Sequence, residues 1–177
     1  MTRNAYRMDR PARCILSCCA GLAASCIASA QTAPPSELEP ADAHHVVASL
    51  AASGVQIYVC KPDQSHHLVW TFKSPQADLY DGSGKLVAKH YAGPSWEATD
   101  GSKITGKVLQ QMPNAQQPGS IPLLLLKATS AGAPGELASV RYVQRWNTRG
   151  GAAPLQPCTQ EGQEGRSPYL ADYVFLD

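Results

Sequence analysis

The sequence has no excess of positive charge. Lysine and arginine number 15 against 14 acidic residues, and part of that balance belongs to the N-terminus. Arg3, Arg7, Arg10, Arg13 and Asp9 fall in the first thirty residues, so the remaining 147 carry eleven basic and thirteen acidic side chains, a net charge of −2. Nucleic-acid binding draws on a basic face, so nucleic acid is not an expected partner. Long apolar runs are also few. One lies within the first thirty residues and the other, Ile121 to Leu126, is strand-length. A transmembrane helix needs about 20 apolar residues, so no transmembrane span is expected. Cysteine is scarce outside the first run. Cys14, Cys18, Cys19 and Cys26 lie inside it, and only Cys60 and Cys158 follow. Neither has a Cys-x-x-Cys partner, which argues against a redox or metal-binding pair.

The first run has the form of a targeting segment. Four arginines precede CILSCCAGLAASCIASA, which ends on Ala28-Ser29-Ala30, small residues spaced for signal peptidase. Residues 1–30 are therefore expected to be a signal peptide and the protein to be secreted or periplasmic. Cys60 and Cys158 then reach an oxidising compartment, where pairing is the default. Their bond would close a loop of about 100 residues, for which loop-closure entropy gives a stabilisation near 4.7 kcal/mol. An alternative fate is lipidation at Cys26, since Leu22-Ala23-Ala24-Ser25-Cys26 is similar to a lipoprotein processing site. Ala23 stands there in place of the usual large aliphatic residue.

The chain that follows is the size of one domain. Residues 31–40 are Pro-rich and polar and read as a linker. Ala41 to Ser53 combines helix formers with Val46, Val47 and Leu50 on one face, and Gly54 stands where a helix end often needs a left-handed residue. Residues 31–53 are thus expected to be linker and short helix, with a single β-domain over 54–177. In that domain the period becomes two. VQIYVCK, LVWTFKS, ADLYD and KLVAKHYA read as strands, with Pro75 stopping the second and Gly82-Ser83-Gly84 forming a turn. Asp100-Gly101 is a favoured two-residue hairpin turn between Trp96–Thr99 and Lys103–Met112. IPLLLLKAT has the continuous apolarity of a strand buried on both faces, LASVRYVQRWNT alternates, and YLADYVFLD closes the chain after some twenty aperiodic residues. About eight strands, one N-terminal helix, no repeat and no strand–helix rhythm predict an all-β antiparallel sandwich or barrel.

Catalytic motifs are missing. No Gly-x-Ser-x-Gly elbow occurs and no cysteine is left free to act as a nucleophile. Gly101 to Val108 comes within one residue of a P-loop, but Val108 replaces the hydroxyl that holds magnesium, and the segment reads as turn then strand. A metal reading rests on His66, His67 and His90, on what could be neighbouring strands. Neutral imidazole suits zinc or copper, although adjacent residues on a strand face opposite ways, so only one of His66 and His67 could join His90. A binding reading rests on Tyr91, Trp96, Trp146 and Tyr169 as flat amphipathic faces, with Arg145, Asn147 and Arg149 as donors. Against it stands the ordinary placement of large aromatics in the core.

Several segments together resemble one family. They are Gly54 to Cys60, Trp70-Thr71-Phe72, Pro75 to Leu79, His90-Tyr91-Ala92-Gly93-Pro94-Ser95-Trp96, Asp100-Gly101-Ser102, Gln144 to Gly151, Ala153-Pro154, Cys158 and Tyr169 to Phe175. The chain is similar in these to the DUF3455 family, secreted bacterial and fungal proteins with a domain of unknown function. The resemblance spans about Gly54 to Leu176. It implies export and the cysteine pair, but no activity. Leu123 departs from the tryptophan usual after the Ile-Pro pair. Some fungal relatives carry a malate dehydrogenase label, which does not transfer, because this chain has no Gly-x-Gly-x-x-Gly after a strand. The leading expectation is a non-catalytic binder of a small ligand, glycan or envelope component, using His90, Trp96, Arg145 and Asn147. A zinc- or copper-dependent extracellular enzyme and a structural envelope protein are the alternatives.

Overall fold

The structure, a computed structural model, describes Met1, residues 33–43 and residues 45–177. The expected signal peptide, Cys26 and His44 lie outside the described residues. Eight strands follow one another as an antiparallel meander: β1 (Val46–Pro62), β2 (Leu68–Tyr80), β3 (Leu86–Tyr91), β4 (Ser95–Ala98), β5 (Lys103–Met112), β6 (Leu123–Ser130), β7 (Tyr142–Gly150) and β8 (Glu164–Leu176). Each pairs with the next and β8 pairs with β1, so the sheet closes as a barrel, the second of the two expected architectures. Closure leaves no edge strand along its full length.

The helix expected over Ala41–Ser53 is not formed. From Val46 onward those residues are β1, laddered on both sides, with Ala51 opposite Tyr80 of β2 and Asp172 of β8. Leu50 and Ala52 point into the core while Ser49, Ala51 and Ser53 are exposed. Helix propensity is a weak preference, and two ladders plus a buried face outweigh it. Gly54 likewise ends no helix. A Cβ there would lie 2.2 Å from the Gln76 carbonyl oxygen and 2.5 Å from the Ala77 Cβ, so glycine lets β1 and β2 approach. The barrel therefore starts at Val46, ahead of the expected boundary at residue 54. Pro75 does not stop β2 either, which runs from Leu68 through to Tyr80.

The expected linker is also packed. Ser36–Leu38 form a 3-10 turn, and Leu38 is fully buried against Leu123, Leu125 and Tyr142. The Gln144 side chain donates from Nε2 to the Leu38 carbonyl oxygen at 2.8 Å, and Tyr142 Oη donates to Asp42 Oδ1 at 2.6 Å. This strap accounts for the unbroken apolar run in β6. Leu126 and Ala128 enter the barrel core, whereas Leu123 and Leu125 lie under the strap.

The two ends of the barrel differ. At one, Asp100 accepts hydrogen bonds from the Ser102 backbone and hydroxyl and from the Glu136 backbone N–H at 2.7 Å. Ser102 Oγ accepts from Leu137 N at 3.1 Å, which brings Leu137 and Val140 into the core. The expected two-residue turn is in fact three residues, Thr99 to Gly101, closed by Ala98 N to the Ser102 carbonyl, with Gly101 alone at positive φ, +87°. At the other end the β3–β4 hairpin is short. Only Ala77–Tyr80 of β2 pair with β3, and only Lys103–Thr105 of β5 pair with β4. The first half of β2 and the second half of β5 stand past the hairpin tip without a partner on that side. Between them is a notch in the wall, floored by residues 92–94 and flanked by the exposed Phe72 and Val108.

Cys60, near the end of β1, is bonded to Cys158 in the connection from β7 to β8, with Cα atoms 5.8 Å apart. The expected aperiodic stretch shortens to residues 151–163, because β8 begins at Glu164. Among the described residues no helix is long and apolar enough to cross a membrane.

Candidate functional site

A cavity of about 220 Å³ lies behind the notch, inside the barrel. Its inner wall is made by Gln56 of β1, His90 of β3, Trp96 of β4, Arg145 of β7 and Tyr173 of β8, and its entrance by Phe72, Lys73 and Pro75 of β2, Pro94 and Val108. The strand register explains the convergence. His90 faces Trp96 across β3–β4, and Arg145 faces Tyr173 across β7–β8. The stretch HYAGPSW is thus the hairpin whose tip, with Gly93 at φ +123°, floors the opening and whose two arms supply the aromatic wall.

The wall is tightly built. Trp96 is 1% exposed and stacks on His90 with ring centroids 4.5 Å apart and planes 9° from parallel. Tyr173 meets both rings edge-on, at 5.4 Å from His90 and 5.9 Å from Trp96. The size of Trp96 is matched by Gly106 on β5, where a Cβ would come within 2.8 Å of the indole Cζ3. His90 Nδ1 lies 2.9 Å from the Ser95 carbonyl oxygen. A carbonyl only accepts, so Nδ1 carries the proton and Nε2 of the neutral ring is an acceptor.

Burial, chiefly, with the positive charge of Arg145 adding to it, lowers the His90 pKa from 6.5 to about 4 against the opposing hydrogen bond to Ser95. The folded pKa lies below the unfolded one, so between these values the unfolded chain binds a proton that the folded chain refuses. Stability is then lost as pH falls from 6.5 towards 4. The loss should be about 3 kcal/mol at 1.36 kcal/mol per unit. Urea unfolding at a series of pH values should show it in the native chain and not in His90→Phe, and an equal acid loss in both would refute the assignment.

Arg145 is the unusual member. It is 9% exposed, and its one hydrogen bond among the described residues runs from Nη2 to the Pro122 carbonyl oxygen at 2.8 Å. Its Nε is buried without a partner, and the same holds for Gln56 Nε2 and Trp96 Nε1 in the same wall. The ion pairs of the described residues use His67, Lys73 and Arg141, not Arg145. Lys73 at the entrance is already paired with Glu164.

The remaining site residues from the sequence reading do not join this cavity. Asn147 is exposed at φ +48° in a β7 irregularity and donates from Nδ2 to Asp172 Oδ2 at 2.9 Å. Trp146 lies on the outer face, in a groove under the strap. His66 and His67 belong to the exposed β1–β2 connection, where His66 has φ +64° and Asp63 Oδ1 accepts from the His67 backbone N–H. Ala77 is the β2 partner of His90, so His67 precedes that level by ten residues of chain. At about 3.3 Å per strand residue that is roughly 30 Å. The three histidines proposed as metal ligands are therefore held apart, and among the described residues no three His, Cys, Asp or Glu side chains group so as to hold a metal ion. Gln56 and Tyr173 were missed in the sequence. Gln56 sits among β-branched residues whose alternation suggested the opposite face, yet it is 2% exposed and lines the cavity.

No curated protein and no solved structure matches the chain. The family model described as protein of unknown function (DUF3455) matches residues 40–177, which takes in every strand of the barrel and the whole cavity wall, and the chain belongs to that family.

Proposed function

We propose that the protein acts outside the cytoplasm as a non-catalytic binder of a small organic molecule, held in the barrel cavity behind the β3–β4 hairpin. The observation that carries this reading is the combination of an apolar, aromatic-walled cavity with a lining guanidinium, Arg145, that takes no part in the ion pairs of the described residues. Ligand sites are typically concave, mostly apolar and equipped with a few convergent polar groups. A cavity of 150 Å³ accepts benzene, so 220 Å³ suits a molecule somewhat larger than one ring. The apolar wall favours such a molecule over a polyhydroxylated glycan. The disulfide supports an oxidising compartment, in keeping with the arginine-led apolar leader. A purely structural role would gain nothing from a buried guanidinium without a counter-charge.

Tryptophan side-chain NMR of the purified protein against a panel of one- and two-ring compounds tests the reading. Ligands should shift the Trp96 indole signal and leave Trp146 and Trp70, which lie outside the cavity, in place. A panel that never moves Trp96 would overturn it. The same reading makes Arg145 a residue kept at the expense of stability. Arg145→Met should raise the unfolding free energy by about 1–3 kcal/mol, because an uncompensated buried charge is replaced by an apolar side chain of similar length. Denaturant titration of the variant checks the sign.

A further inference from the structure

Resting on that cavity reading, we infer that the bound molecule is a small aromatic carboxylate whose carboxylate group pairs with Arg145. Three buried polar atoms in the wall, on Gln56, Trp96 and Arg145, are N–H donors without a partner. Arg145 lines the cavity, and none of the ion pairs of the described residues uses it, so its charge is open to an anionic ligand. Among the described residues no aspartate or glutamate lines the cavity, so they supply no acceptor with negative charge. The field of Arg145 reaches Tyr58, His90 and Tyr169, and each of these is neutral at neutral pH. With Lys73 neutralised by Glu164, the cavity holds one unbalanced positive charge, which matches a monoanion.

The geometry narrows the anion further. A planar guanidinium fork matches a carboxylate or a phosphate, and the single unbalanced positive charge matches the one negative charge of a carboxylate and not the two of a phosphate dianion. The rest of the wall is apolar and aromatic, formed by Trp96, His90, Tyr173, Phe72 and Pro75, and it suits a flat ring. The neutral His90 ring keeps Nε2 as an acceptor, so a hydroxyl on the ligand ring would also find a partner there.

Benzoate and its neutral isostere benzamide separate the head group from the cavity. Both are titrated into the full chain, followed by the Trp96 indole and His90 imidazole NMR signals. Benzoate should bind roughly ten-fold or more tightly than benzamide, as expected for a charge-assisted hydrogen bond. It should also move the His90 titration to higher pH, because it offsets the Arg145 charge, while benzamide leaves it unmoved. In Arg145→Gln the preference should shrink to about two-fold or less, and Arg145→Lys should restore part of it. Equal binding of the two compounds to the native chain would overturn the carboxylate inference and leave the cavity reading standing. Failure of both to move Trp96 would overturn the two together. The native-chain comparison decides the matter even where Arg145→Gln does not fold.

Discussion

Replacing Cys60 and Cys158 together by alanine should lower the unfolding free energy by about 4 kcal/mol. The two residues are separated by 98 positions, so their bond spans most of the barrel. For a loop of about 100 residues, closure entropy removed from the unfolded chain is worth about 4.7 kcal/mol, and measured losses for native disulfides run about 2–5. The folded barrel should change little. The connection carrying Cys158 is also held by Cys60 N to the Gln163 carbonyl at 2.8 Å, Gly162 N to the Cys60 carbonyl at 2.9 Å, and Trp70 Nε1 to the Gln156 carbonyl at 2.8 Å. Two measurements follow. Urea midpoints should drop alike for the double-alanine variant and for the native chain under reductant, since both free the unfolded chain in the same way. The Trp96 and His90 NMR signals should stay where they are in the native state. A loss below about 1 kcal/mol, or a rearranged cavity, would show that the bond works through the folded connection instead.

The sequence reached some parts of this molecule and not others for identifiable reasons. The β-rich class and the cysteine pair depend on local chemistry or on simple counting, and both stand in the structure. The alanines and leucine of Val46 to Ser53 look helical locally, while the ladders that make the segment a strand come from β2 and β8, the latter more than a hundred residues away. The strap was missed for the same kind of reason: nothing near Leu38 announces that Tyr142 and Gln144 will receive it. In the site, His90, Trp96 and Arg145 could be picked out as unusual side chains. Their meeting could not be read, because it depends on barrel closure and on the short hairpin that leaves the notch. Asn147 stood beside Trp146 in an alternating run, but a backbone irregularity at 147 turned it out to Asp172. The histidine grouping failed on register alone, a quantity that alternation does not supply.

The second large effect is expected at Trp96. Trp96→Ala should cost about 3–5 kcal/mol, the range for removing a large buried aromatic. The indole touches His90, Tyr173 and Phe175, so its loss empties the centre of the barrel at one stroke. Water admitted to that space would reach His90 and return its pKa towards the ordinary range, because burial is the main cause of its depression. The contribution of Gly106 can then be isolated. On its own, Gly106→Ala places a methyl 2.8 Å from Trp96 Cζ3 and 3.2 Å from Leu126 Cδ2, and should destabilise by about 1–3 kcal/mol through overpacking. In the Trp96→Ala background the indole is gone and the same methyl has room. The cost of Gly106→Ala should therefore fall close to zero or change sign, giving a coupling of about 1–3 kcal/mol in a double-mutant cycle. Urea titration of the four proteins measures it. Additive costs would mean that the indole and the glycine are not packed against each other, and that the aromatic wall of the cavity is held by something other than this large-to-small match.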